Sequence, residues 1–150
     1  MDLFGNSVSK FPTKYSEILN RVEKINPVKY CSSRNYINGA VTYLSPYISR
    51  GVISTKFIFS EVMKRGFQTA RIGKFIQELA WRDYWQQIWI VKKDIINQDI
   101  KSKQFPVSNN SFSTAINKGE TGIHAIDNAI KKFYKTGYIH NHLRMYIASI

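Results

Sequence analysis

Residues 71–97 read RIGKFIQELAWRDYWQQIWIVKKDIIN, a run without proline whose apolar residues recur at helical rather than alternating spacing. Phe75, Ile76, Leu79, Trp81, Trp85, Ile88, Trp89 and Val91 fall on nearly every side of its middle turns, which predicts one long helix at the centre of a bundle. Within it Glu78, Trp81, Arg82 and Trp85 stand at i, i+3, i+4 and i+7, so a carboxylate, a guanidinium and two indoles share one stripe. Two readings of that stripe are open. In one, Glu78 and Arg82 form an i,i+4 pair while the tryptophans fill core. In the other the stripe is a ligand wall, where the carboxylate accepts a hydrogen bond from a flat heterocycle and Trp81 stacks on it.

The flanking sequence continues in helical period. Thr13 stands as an N-cap before Tyr15, Ile18, Leu19, Val22 and Ile25. Ser45-Pro46 opens a short helix ended by Gly51, and Ser54 caps another closing at Gly66. Residues 101–113 carry turn formers and read as a loop. Ile126, Ala129, Ile130 and Phe133 mark a helix ending at Gly137, and Leu143, Tyr146 and Ile147 a last one. Residues 1–11 are polar and irregular and are expected to be flexible. With no sustained alternation, repeat or linker, the expectation is one all-α domain over 1–150, long enough to bury roughly 70% of its unfolded surface.

Lys and Arg number 22 against 10 acidic residues, a net charge of +12 that suits a polyanionic partner, nucleic acid first and an anionic membrane second. The basic residues, Arg21, Lys24, Arg50, Lys92 and Lys131 among them, lie between aromatics rather than in one tail, a mixture suited to strand backbone contact with base stacking. A single cysteine, Cys31, allows no internal disulfide and fits a cytoplasmic setting. No apolar run is long enough to span a membrane, and no leader peptide pattern opens the chain.

Two further constellations bear on chemistry. Ser45-Pro46-Tyr47, after Val41-Thr42-Tyr43-Leu44, runs a hydroxyl-bearing turn into a helix start, where Ser45 serves either as the cap or as a phosphate contact. His140-Asn141-His142-Leu143-Arg144-Met145 gathers polar donors and a thioether around another helix start, either a site or solvated surface. Its histidines, at i and i+2, do not share a helical face, which argues against a metal site.

Together these segments resemble the photolyase/cryptochrome family, in that family's order. The matching blocks are Arg34-Asn35; Leu44-Ser45-Pro46-Tyr47-Ile48 with Gly51 and Ile53-Ser54; Glu78 through Trp85; Gly119-Glu120-Thr121-Gly122-Ile123 with Ile126-Asp127; and Gly137 through Met145. The resemblance implies part of an all-helical domain that holds FAD and passes an electron from the excited reduced flavin to a cyclobutane pyrimidine dimer in DNA. By matching positions, Tyr30, Thr42, Leu44 and Ser45 would line the flavin's phosphate region, Arg82 and Arg144 would hold its phosphate and isoalloxazine portions, and Asn141 would sit beside the ring. Glu78 would hydrogen-bond the damaged base, Trp81 would stack on it, Met145 would pack beside it, and Arg34 and His142 would meet DNA. Asn141 and Met145 resemble the repair enzymes for cyclobutane dimers rather than those for (6-4) photoproducts.

The sequence also departs from the family. His142 stands where arginine is usual, Val41 where threonine is common, and the 101–113 loop lacks a tryptophan often found there. About thirty residues precede the first motif, so no antenna chromophore is expected, and the match stops at Ile150 before the family's remaining flavin contacts. The expectation is a photolyase-like domain active only when completed, with two alternatives: a non-catalytic cryptochrome-like photoreceptor or DNA-binding relative, and an inactive truncated fragment.

Overall fold

The computed structural model describes residues 11–36, 38–99, 102, 103, 105, 108, 109 and 111–149. The chain is all-α, with no strand among the described residues, and divides into two compact units with a boundary at Lys103/Gln104. The expected flexibility of residues 1–11 concerns, apart from Phe11, positions outside the described residues.

In the first unit α1 spans Tyr15–Glu23, α2 Pro27–Ser33, α3 Ser45–Ser49, α4 Thr55–Lys64 and α5 Thr69–Lys92, followed by a 3₁₀ helix at Lys93–Asn97. Helix α4 begins where its cap predicts: Ser54 Oγ accepts from the Phe57 N–H at 3.0 Å, and Gly66, at φ 72°, ends the turn beyond it. Three local expectations are corrected. Thr13 does not cap α1; the N-cap is Lys14, without a side-chain bond. Ser45 is likewise not a cap but the first residue of α3, whose N-cap is Leu44. Helix α2 lies where the helical-period reading predicts none, although Asn26-Pro27 carries its signal: Asn26 Oδ1 accepts from the Lys29 N–H at 2.9 Å and Pro27 occupies the first turn.

The core of this unit joins Ile18, Val22 and Ile25 to Leu44, Tyr47, Ile53, Ile58, Val62, Ile72 and Phe75. Helices α2 and α4 both pack on α5, and α1 on α4. Only the first half of α5 takes the central place expected of it. At about 1.5 Å per residue its 24 residues run about 36 Å, whereas α2 and α4, with 7 and 10, each cover less than half of that length. Beyond Leu79, Trp85, Trp89, Ile90 and Val91 are exposed, and the helix stops at Lys92, short of Asn97, where Lys93 adopts φ 46°.

The second unit contains α6 (Thr114–Lys118), α7 (His124–Thr136) and α8 (Asn141–Ala148). Ile116, Ile126 and Ile130 form its core, with Ile147 packed against them. Gly137, at φ 66°, ends α7 as the sequence predicts, while the short α6 has no counterpart among the sequence expectations. Gly119 closes α6 at φ 66°, and a Cβ there would lie 3.2 Å from the Asp127 carbonyl oxygen and 3.4 Å from Ile130 Cγ2. Gly119→Ala is therefore expected to cost about 1–2 kcal/mol, the left-handed penalty plus a tight fit, read as a lower urea midpoint.

The Gly119–Gly122 turn is held by Asp127, whose Oδ1 accepts from the Thr121 N–H (2.8 Å) and hydroxyl (2.7 Å) and whose Oδ2 accepts from the Gly122 N–H (3.1 Å). The Thr121 hydroxyl bond, helped by the two backbone N–H groups, holds this carboxyl below the usual aspartate range. A carboxylate with a lowered folded-state pKa contributes stability above its unfolded pKa of roughly 3.9, and that contribution disappears as pH falls through the folded value. Asp127→Asn is accordingly expected to remove part of the acid-induced loss of stability below about pH 4 while lowering stability at neutral pH, as thermal melts across pH would show.

Candidate active site

The exposed stripe on α5 begins with three rings. Trp81 and Trp85 lie nearly parallel, their centroids 6.4 Å apart, and Tyr84 meets each of them edge-on at 5.4 and 5.3 Å. Trp81 is 46% exposed and Trp85 57%, so the core-filling reading of these indoles does not hold. The helix is anchored on another side by Asp83, which accepts from the Thr55 hydroxyl at 2.7 Å and ties α5 to the first turn of α4.

Glu78 lies about one turn before Trp81. Its Oε1 receives the Nε–H of Arg34 at 3.3 Å, and the Arg34 Nη1 donates to the Cys31 carbonyl at 3.3 Å. The helical spacing gives no hint of this partner, 44 residues away in sequence. Arg82, on the same helix, is half-buried.

The Thr42–Ser45 turn lies in the same unit. Tyr43 takes φ 54°, a left-handed conformation uncommon outside glycine, asparagine and aspartate and found disproportionately at ligand sites. Thr42 Oγ1 accepts weakly from the Leu44 N–H at 3.4 Å. Leu44 is 1% exposed, and its carbonyl accepts from the Tyr47 and Ile48 N–H groups at 3.0 and 3.1 Å. Tyr47 donates to the Pro12 carbonyl at 2.8 Å, and burial pushes its phenol pKa up against the opposing pull of Arg21. Tyr30 stands edge-on to Phe75 at 5.3 Å, half-buried in α2.

In the second unit His140 caps α8, its Nδ1 accepting from the His142 N–H at 3.2 Å. Asn141, Arg144 and Met145 are exposed on this helix, and the His142 ring lies edge-on to His140 and Tyr146. A groove of about 310 Å³ includes Phe112, Ile130, Phe133, Ile139, Ile147 and Arg144 in its lining.

Within each unit the residues singled out from the sequence therefore converge in part. Arg34 joins Glu78; Thr42, Leu44 and Ser45 share one turn; Asn141, His142, Arg144 and Met145 share one short helix. Tyr43, Tyr84 and the Thr55–Asp83 bond are not anticipated by the sequence reading. Only their proximity to Ser45, Trp81 and Ser54 in sequence could have pointed to them.

A family model for the FAD binding domain of DNA photolyase matches residues 75–150. The chain belongs to that photolyase/cryptochrome family. It is 27% identical to a deoxyribodipyrimidine photo-lyase of Alkalihalophilus pseudofirmus over 98% of this chain and 33% of that protein. To a same-named protein of Thermus thermophilus it is 29% identical over 78% of this chain and 28% of that one. To a tomato cryptochrome DASH the figures are 28%, 80% and 22%. The chain thus spans about a third or less of the length of these photolyase-family relatives. No solved structure gives a significant match.

The family's cofactor is FAD, and the side chains present suit it. The Ser45 hydroxyl, the Asn141 amide and the Arg144 guanidinium make no hydrogen bond or ion pair with any other described residue. Taken unit by unit, an uncommitted hydroxyl in the first and an uncommitted amide and guanidinium in the second are donors of the kind a dinucleotide's polar atoms accept. Among the described residues no helix is long and apolar enough to cross a membrane.

Proposed function

We propose that this chain is the first part of a flavin-dependent photolyase domain that, once complete, repairs cyclobutane pyrimidine dimers in DNA. The observation that carries this reading is the half-exposed Trp81 ring one helical turn after Glu78, inside the segment matching the photolyase flavin domain. Bound reduced FAD would supply, on excitation, the electron that splits the dimer.

The chain's own residues bind and orient. Trp81 offers a flat apolar face on which a flipped-out pyrimidine pair can stack, and Glu78 accepts a hydrogen bond from its base edge. Met145 packs beside the lesion as an adaptable apolar side chain. Tyr30, Thr42, Leu44 and Ser45 line the cofactor's phosphate region, Arg82 and Arg144 hold its phosphate and isoalloxazine portions, and Asn141 sits beside its ring. The +12 charge and His142 serve the DNA backbone. Extrusion of the damaged pair costs a few kcal/mol, least where the lesion already distorts the duplex, so the lesion itself contributes selectivity.

The full-length gene product, purified with its flavin reduced, should remove dimers from single-stranded DNA under near-ultraviolet or blue light and not in the dark. Retained flavin absorbance without loss of dimers would overturn the repair reading in favour of the non-catalytic cryptochrome-like alternative. Failure of the full-length product to retain flavin would overturn both.

A further inference from the structure

We infer that Arg34 is a positioning residue for Glu78, through which it sets the preference for damaged over intact DNA, rather than a contact to the DNA backbone. The inference rests on the lesion-binding reading of Glu78 above.

Arg34 follows the last turn of α2 and is the less exposed partner, at 22% of its side chain against 39% for Glu78. Two of its donors point inward: Nη1 to the Cys31 carbonyl at the end of its own helix and Nε to Glu78 Oε1. A guanidinium held at one edge by a fixed carbonyl presents its remaining N–H groups in a fixed plane, so it aims the carboxylate as well as attracting it. Oε1 is thereby committed, while Oε2 accepts from no described residue. Glu78 is left with one free oxygen of defined direction, which is what recognition of a single base-edge N–H requires. Because α2 packs directly on α5, the aim is set by two helices of the same unit and does not depend on a loop. A pair this exposed adds little to stability, so its loss should be read in recognition more than in melting.

The two roles for Arg34 differ in measurable ways. A phosphate contact weakens binding to all DNA alike and lowers the salt dependence by about one counterion. A positioning residue changes only the ratio between damaged and intact strands. The test compares the affinities of the full-length protein for a single-stranded oligonucleotide carrying one cyclobutane thymine dimer and for the undamaged oligonucleotide across a salt series. The variants are Arg34→Gln, Arg34→Lys, Glu78→Gln and the Arg34→Gln/Glu78→Gln double.

Arg34→Gln is expected to reduce the preference for the dimer roughly three- to tenfold, the worth of one net hydrogen bond, with unchanged salt slope and undamaged-strand affinity. Arg34→Lys should restore part of it, and the double variant should be no worse than Glu78→Gln alone. Equal weakening on both strands with a shallower salt slope, or losses that add in the double variant, would overturn the inference. If Arg34→Gln does not fold, Arg34→Lys decides on the same terms, since it keeps the charge and loses the fixed plane. A wild-type protein with no preference for the dimer would refute the repair reading itself; a preference that survives Arg34→Gln refutes only the positioning role.

Discussion

Replacing Ile72 with alanine is expected to lower the unfolding free energy of the first unit by about 2–5 kcal/mol. Ile72 is 0% exposed and shares its core with Phe75 of the same helix and with Ile58 and Val62 of α4. Removing three carbons there loses their transfer free energy and leaves a cavity that neighbouring helices can only partly close. Ile72→Val, which removes one methyl group, should cost about 0.5–1.5 kcal/mol. Ile90→Ala, on the same helix at 63% exposure, should stay within about 0.5 kcal/mol of the parent. Urea unfolding of the three variants reads the series directly. An Ile72→Ala variant no less stable than Ile90→Ala would mean that α5 is not anchored through its first turns.

That anchoring explains what can be read from the sequence and what cannot. The Ser54 cap, the Gly66 and Gly137 stops and the start of the long helix are legible because each depends on a few neighbouring residues and a fixed spacing. The short helices α2 and α6 are not, since one or two turns carry too few apolar positions to establish a period; for α2 the Asn26-Pro27 pair is the local signal that a search for periods passes over. An all-round apolar pattern reads as burial, yet burial depends on how long the neighbouring helices are, and those facing α5 are too short to cover it. The same division holds at the site. Helical spacing places Glu78, Trp81 and Trp85 on one face correctly, whereas the Arg34–Glu78 bond joins residues that only the packing of α2 on α5 brings together. Ser45 reads as a cap because serine before proline so often is one. The structure moves it one position into the helix and leaves its hydroxyl without a partner among the described residues.

Trp81→Ala in the full-length protein is expected to weaken binding of dimer-containing single-stranded DNA by about 1–3 kcal/mol, roughly 5- to 150-fold, the worth of one base–aromatic stack. Stability should hardly change, because the ring is 46% exposed and its ring partners Tyr84 and Trp85 lie on the same helix rather than across the core. Trp81→Phe, which keeps a smaller flat face, should recover part of the loss, while Trp89→Ala, two turns further along and 67% exposed, serves as the control for aromatic surface in general. Affinity measured by anisotropy, with melting temperatures alongside, separates the cases. Should Trp89→Ala weaken binding as much as Trp81→Ala does, the stripe acts as an unspecific stacking surface for single strands; should neither matter, its exposed rings serve packing with further chain. Loss confined to Trp81 would tie recognition to the exposed ring that stands a single turn from Glu78, where stacking and a base-edge hydrogen bond can act on the same flipped pair.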